Sequence, residues 1–307
     1  MTRHRRSGFT LVELLMSMTI GMVVITAATS FSMSSWKTRR GWTVRESVDR
    51  NARFVGMSLA RDAQETGVAI ESTPTFGTIG SFGDTLSLIS IPFTNVEAPV
   101  YPIYNDGDTL PNYPPGGNCG STCIEFNQIG NTFMLRDGDF ARVQIGTTRR
   151  LLYLTSVSAS SGGRFRVYFL PAQRLIGRAA GLDSVLLTRS GTTIQKIKAV
   201  LYWRDAASNT IMRADQFTSA AIPIGRPIAT GTVDFRTSIL FTGNREAASY
   251  SGFDTDTLND GNDIIGLRVR SRMKTEKADP AVNNGQPIYR WYDWRMAPRN
   301  LMYEKNR

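Results

Sequence analysis

The chain has 307 residues, 36 Lys and Arg against 26 Asp and Glu, and a formal charge of +10. With 41% hydrophobic and 20% charged residues it can bury a core, which excludes general disorder. Its one histidine, His4, precedes a long apolar run; without that leader, Ser-His-Asp, Cys-His and HExxH chemistry are excluded, and two cysteines cannot form a four-cysteine zinc site.

Arg3, Arg5 and Arg6 open the chain, followed by Gly8, Phe9, Thr10 and an apolar run interrupted at Glu13. From Leu14 to Trp36, 23 consecutive residues carry no formal charge, enough to cross a bilayer as a helix. The basic flank should stay cytoplasmic, which would place everything beyond Trp36 outside. Three readings compete: a cleaved secretory signal, a plain anchor, and a segment that begins in the membrane and later leaves it. Glu13 weighs among them. A charge inside an apolar span costs about 2.5–3.5 kcal/mol and is functional by default. A secretory signal has no use for a carboxylate, although Ala27-Ala28 offers a crude cleavage site. The third reading uses the acid. If cleavage falls between Gly8 and Phe9, the new amine of Phe9 lies one helical turn, about 6 Å, from Glu13. In a bundle of such helices, one subunit's Glu13 can pair with a neighbour's buried amine and set the axial register. Thr10 can add a hydroxyl to that cluster.

The run Gly8-Phe9-Thr10-Leu11-Val12-Glu13-Leu14-Leu15 resembles the class III signal of type IV pilins and type II secretion pseudopilins. The resemblance implies that a prepilin peptidase cleaves after Gly8 and N-methylates Phe9. Beyond the span, Val44, Val48, Val55 and Leu59 recur at helical spacing, with Arg45, Asp49, Arg53 and Arg61 on other faces. Gly67 is a reasonable stop, so one helix from Phe9 to Thr66 would measure about 87 Å. Gly21, Gly41 and Gly56 are places where it could bend. Asn51-Ala52-Arg53-Phe54, with Leu59-Ala60-Arg61-Asp62 and Gly67, is similar to a stretch of the PilW group of minor pilins.

Past Gly67, short apolar runs punctuated by Gly, Pro, Asn and Asp predict a mostly β region. Strands are expected at Thr85–Ile91, Ile124–Gln128, Arg149–Val157, Arg164–Leu170, Ile194–Trp203, Asp263–Arg272 and Ile288–Met296. Turns are expected at Ser160-Ser161-Gly162-Gly163 and Ala206-Ala207-Ser208-Asn209. Less specific likenesses to the PilW group continue through Gly83–Leu86, Asp137–Phe140, Val200–Trp203, Ile265–Arg270 and Arg299-Asn300.

Cys119 and Cys123 lie in a loop rich in Pro, Gly and Asn. An exterior head puts these thiols in an oxidising compartment, so a disulfide is preferred over free thiols. Asp254, Asp256, Asp260 and Asp263 invite a calcium reading, but the spacing fails as an EF-hand: Leu258 and Leu267 fall at ligand positions. An irregular calcium loop competes there with a solvated turn. Alternation along the last strand places Tyr289 and Trp291 on one face and Tyr292 and Trp294 on the other, as core or as part of a subunit interface.

The expected fold is pilin-like α+β, a long N-terminal helix whose second half packs on a large antiparallel β-rich head. The expected division is a leader at 1–8, a transmembrane and assembly half of the helix at 9–36, an amphipathic half at 37–67, and a periplasmic head at 68–307. The resemblance implies a structural protein rather than an enzyme, without a cofactor. It would be held in the inner membrane, then incorporated with the major pilin and other minor pilins into a type IV pilus, priming assembly at or near the tip. A tip adhesin is a further partner, and the fibre would serve twitching motility, adhesion or DNA uptake. The alternatives are a type II secretion pseudopilin and a membrane-anchored ligand- or DNA-binding head. Direct nucleic-acid binding is not expected: without the leader arginines 33 basic residues face 26 acidic ones, a charge of +7, and no basic run is interleaved with aromatics.

Overall fold

The computed structural model describes residues 10–92, 99–104, 109–110, 123–129, 134–176, 185–186, 191–250, 258–275, 279–280 and 282–301. One helix, α1, runs from Leu11 to Glu65. The first strands are β1 (Ile79–Ser81), β2 (Thr85–Ser90), β3 (Val100–Pro102), β4 (Thr109–Leu110) and β5 (Cys123–Asn127). Then come β6 (Phe140–Ile145), β7 (Thr148–Ser160), β8 (Arg164–Pro171), β9 (Val185–Leu186), β10 (Thr192–Asp205) and β11 (Thr210–Ala214). The last are β12 (Arg226–Ala229), β13 (Thr232–Phe241), β14 (Arg245–Ala247), β15 (Ile264–Lys274) and β16 (Tyr289–Met296). This is the expected order, a long apolar N-terminal helix followed by a large antiparallel β-rich head. By internal contacts the chain forms two units, 1–49 with 275–288 and 50–274 with 289–307.

In the first unit, α1 carries the apolar span. Leu11, Val12, Leu14, Leu15, Met16, Met18, Ile20 and Met22–Ile25 are all exposed, so nothing among the described residues covers them. Arg40 lies 3.8 Å from Asp279, and Thr275 donates its N–H to the carbonyl of Ile288 at 3.0 Å.

In the second unit, the remaining turns of α1 bury one stripe. Ala52, Val55, Leu59, Asp62, Ala63 and Thr66 are all under 4% exposed, at the three- and four-residue spacing that brings positions onto one helical face. Gly56 sits against the Trp294 indole, where an added Cβ would come within 2.6 Å of the ring nitrogen. The helix is unbroken through Gly56: this glycine admits a neighbouring ring rather than a bend. The C-terminus of α1 leaves carbonyls without helical partners. The Asn300 side-chain amide donates to two oxygens there, of Gln64 at 3.3 Å and Thr66 at 3.2 Å, while Gly67 turns with φ 77°. Asn300→Ala should therefore cost about 1 kcal/mol, measurable as a lower denaturant midpoint, because two carbonyls lose their donor.

The strands form a ten-stranded and a four-stranded antiparallel sheet, with a separate pair from β4 and β9. In the larger sheet, β10 pairs β6, β6 pairs β7, β7 pairs β8 and β8 pairs β5. On its other side β10 pairs β3, whose continuation bridges back to β5 between Ile103 and Phe126. These six strands thus close on themselves around Tyr101, Ile124, Phe126, Val143, Leu154 and Ile194, all fully buried. The far half of β10 leaves the ring to pair β2 and β11. The four-stranded sheet runs in the order β14-β13-β15-β16. The turns at Ser161–Gly163 and Ala206–Asn209 stand where the sequence places them, with Gly162, Gly163 and Asn209 at positive φ.

Candidate functional site

Two places join sequence to chemistry: the start of α1 and its seam with the head. At the start, Thr10 and Glu13 form a reciprocal cap. The Thr10 backbone N–H and hydroxyl donate to Oε2 of Glu13 at 3.1 and 3.0 Å, and the Glu13 N–H donates to Oγ1 of Thr10 at 3.3 Å. Thr-x-x-Glu ahead of an apolar run is the signature of a capping box. Thr10-Leu11-Val12-Glu13 carries that signal in the sequence, and reading Glu13 as an intersubunit charge leaves it unused. Gly8 and Phe9 lie outside the described residues.

Within the span, hydroxyls bond back to their own helix. Ser17 donates to the carbonyl of Leu14, Thr19 to Met16, Thr26 to Met22 and Thr29 to Ile25, at 2.7–2.9 Å. A polar group immersed in hydrocarbon must find its partner internally, and these do. The helix is long and apolar enough to cross a membrane, and its most apolar window is wholly uncovered.

At the seam, the Asp62 side chain is 1% exposed and bound on three sides. Arg213 on β11 donates Nε to Oδ2 at 2.7 Å and Nη2 to Oδ1 at 3.2 Å. The Tyr202 hydroxyl on β10 donates to Oδ2 at 2.5 Å and lies 2.9 Å from the Ser58 hydroxyl. Arg213 also reaches Asp215 at 2.8 Å, and at the next turn of the helix Lys198 meets Glu65 at 2.6 Å. Helix and sheet are therefore joined by a two-pronged ion pair inside an apolar stripe.

Burial, and then the Asp62 charge, push the Tyr202 hydroxyl above its ordinary value of 10. An unfolded chain loses that proton near pH 10 while the folded chain keeps it to higher pH. The contribution is complete below about pH 10 and is lost above it, by up to about 1.4 kcal/mol per pH unit. Denaturant midpoints taken from pH 8 to pH 11 should fall more steeply for the native sequence than for Tyr202→Phe.

Cys123 is buried and disulfide-bonded; Cys119 lies outside the described residues. Of the four aspartates considered for calcium, Asp254 and Asp256 also lie outside them. Asp263 accepts a hydrogen bond from the Thr242 hydroxyl at 3.2 Å and lies 3.7 Å from Arg245. Asp260 precedes Gly261, whose Cα packs so closely on the backbone of Thr73 and Gly77 that a Cβ would fall within 2.7 Å of both. Among the described residues, no three His, Cys, Asp or Glu side chains gather as a metal site.

Residues 3–29 match the family model described as the prokaryotic N-terminal methylation motif. No curated protein and no solved structure matches the chain. The match spans the basic flank, Gly8, Phe9, the capped start at Thr10 and Glu13, and the span as far as Thr29. It supports a type IV pilin- or pseudopilin-like protein, processed by prepilin peptidase and anchored in the membrane by one helix, and implies assembly with other pilins.

Proposed function

We propose that this chain is a minor pilin of the PilW type: cleaved after Gly8, N-methylated at Phe9, and stored in the inner membrane with its head in the periplasm. It is then incorporated into a type IV pilus, where with other minor pilins it helps prime assembly at or near the tip. Its role is structural, not enzymatic. The observation that carries this reading is the methylation motif at the head of a helix whose first half is apolar and uncovered. A subunit of this kind can exchange lipid around that half for the helices of a fibre. The Asn51–Phe54 and Leu59–Asp62 segments favour the pilus over a type II secretion system.

The test is the intact mass and N-terminal sequence of protein recovered from a host with its own prepilin peptidase. The expected result is a mature start at N-methylated Phe9, with co-purification of a major pilin. Recovery with secretion pseudopilins would move the protein to the other machine. A start beyond Ala28, or an intact Met1, would overturn the proposal.

A further inference from the structure

The four-stranded sheet has one face turned to the core and one turned to solvent, and the solvent face is unusual. The inner side chains of β13 and β15 are apolar or small: Phe235, Thr237, Ile239, Leu267, Val269, Ser271 and Met273, all buried. Register then fixes the outer rows. Ser238 lies beside Arg268 and Arg268 beside Arg295; Arg236 lies beside Arg270 and Arg270 beside Asp293. In the following rows Asp234, Arg272 and Trp291 stand abreast, then Lys274 and Tyr289. Successive outer side chains on one strand are roughly 7 Å apart, and cross-strand neighbours about 5 Å.

The acids on this face are already engaged. Arg268 grips Asp293 with Nε at 2.9 and 3.1 Å and with Nη2, and reaches Glu246 through Nη1 at 2.9 Å. Asp234 is 2.9 Å from Arg236. Arg270, Arg272, Lys274 and Arg295 make no ion pair among the described residues. Like charges set this closely repel each other, and the charge of Asp293, which Arg268 already grips, offsets Arg270 and Arg295 only in part. Beside them stand two aromatic rings that the core does not use: Trp291 is 55% exposed and Tyr289 45%. Arg272 lies over the Tyr289 ring at 4.7 Å and Arg236 over Trp291 at 6.0 Å. Arg236, Arg268, Arg270, Trp291, Tyr292 and Asp293 line a shallow cleft of about 300 Å³, at the lower end of the range for small-ligand sites.

We propose that this face binds single-stranded nucleic acid, with Arg270 and Arg272 on the phosphates and Trp291 stacked on a base. Guanidinium forks match phosphate oxygens, and an exposed indole gives any unstacked base a π-face. A duplex hides its base faces, so a flat aromatic platform has little to stack on there. No run of sequence announces this site, because the arginines and the aromatics belong to different strands. The proposal is independent of N-terminal processing.

The test is fluorescence anisotropy of the full chain in detergent with a labelled oligothymidylate of about 20 nucleotides, longer than a typical single-strand site. Native protein should bind, and bind a duplex of equal length more weakly. Arg270→Ala with Arg272→Ala should lower affinity at least tenfold and reduce the slope of log affinity against log salt by about 1.4. Trp291→Ala should weaken binding about 5- to 150-fold, and Trp291→Phe should restore most of it. Trp291 is exposed, so an unchanged circular dichroism spectrum should confirm that these variants fold. No binding at low salt would overturn the proposal. So would equal binding of polyphosphate together with indifference to Trp291→Ala, which would make the face a general polyanion surface.

Discussion

Replacing Asp62 by alanine should destabilise the head by about 3–5 kcal/mol, because it leaves the largely buried Arg213, its side chain 12% exposed, without its main carboxylate. Asp215 stays within 2.8 Å of Arg213, which places the expected loss toward the lower end of that range. The Tyr202 hydroxyl would lose its acceptor as well, keeping only Ser58 at 2.9 Å. The pair itself is a different matter from its breakage. Two charges taken out of water return little net stability, so Asp62→Leu combined with Arg213→Met should recover much of what the single change loses. Guanidinium denaturation of the detergent-solubilised chain measures all three. A loss below about 1 kcal/mol for Asp62→Ala would show that Val55 and Leu59 hold the seam unaided, since a fully buried side chain of this kind contributes about 1.5–3 kcal/mol. Protease resistance of the segment after Gly56 should fall in step with stability, because the seam ties α1 to β10 and β11.

The contrast between Asp62 and α1 shows what could be read from the chain. The helix was legible because its information is local: an uncharged span, then apolar residues returning every three or four positions, then Gly67. The strands with short connections were legible for the same reason, and β7, β8, β10 and β15 stand within a few residues of their expected bounds. The role of Asp62 was not, since Arg213 lies 151 residues away and the sequence offers only a motif with no partner attached. The closure of the larger sheet from Ile103 to Phe126 and the pairing of β13 with β15 are equally non-local. β13 carries Asp234, Arg236 and Ser238 between its buried residues and was not expected as a strand; its apolar face becomes evident once β15 lies beside it. The outer basic face follows the same logic. Arg268, Arg270 and Arg272 alternate with buried residues, so in the linear chain they look like an ordinary solvated edge until Trp291 and Tyr289 are set next to them.

Glu13→Gln should leave the subunit in the membrane, normally processed, yet reduce its incorporation into fibres by more than a hundredfold. Under the proposed function, this one side chain has two separable jobs. In the chain by itself, Glu13 completes the cap on Thr10, and glutamine can replace glutamate in that box. Removing the charge also makes the span easier to insert, by less than the roughly 2.5–3.5 kcal/mol that a charge at the centre costs, because Glu13 stands in the first turn of the helix. Neither effect harms the stored subunit. Under the proposed function, what glutamine cannot do is neutralise the buried amine of a neighbouring Phe9. An amine left unpaired in a helical bundle costs about 3–5 kcal/mol, which is a factor of a hundred or more in occupancy. Glu13→Ala loses the same pairing and the cap besides, a further cost of about 1 kcal/mol in helix stability. Quantifying each variant in membranes and in sheared fibres distinguishes the two jobs. Native levels of Glu13→Gln in fibres would sink the charge-pair mechanism while leaving the cap intact. Equal loss of both variants from membranes and fibres would mean that Glu13 acts on insertion or processing, before any fibre is met.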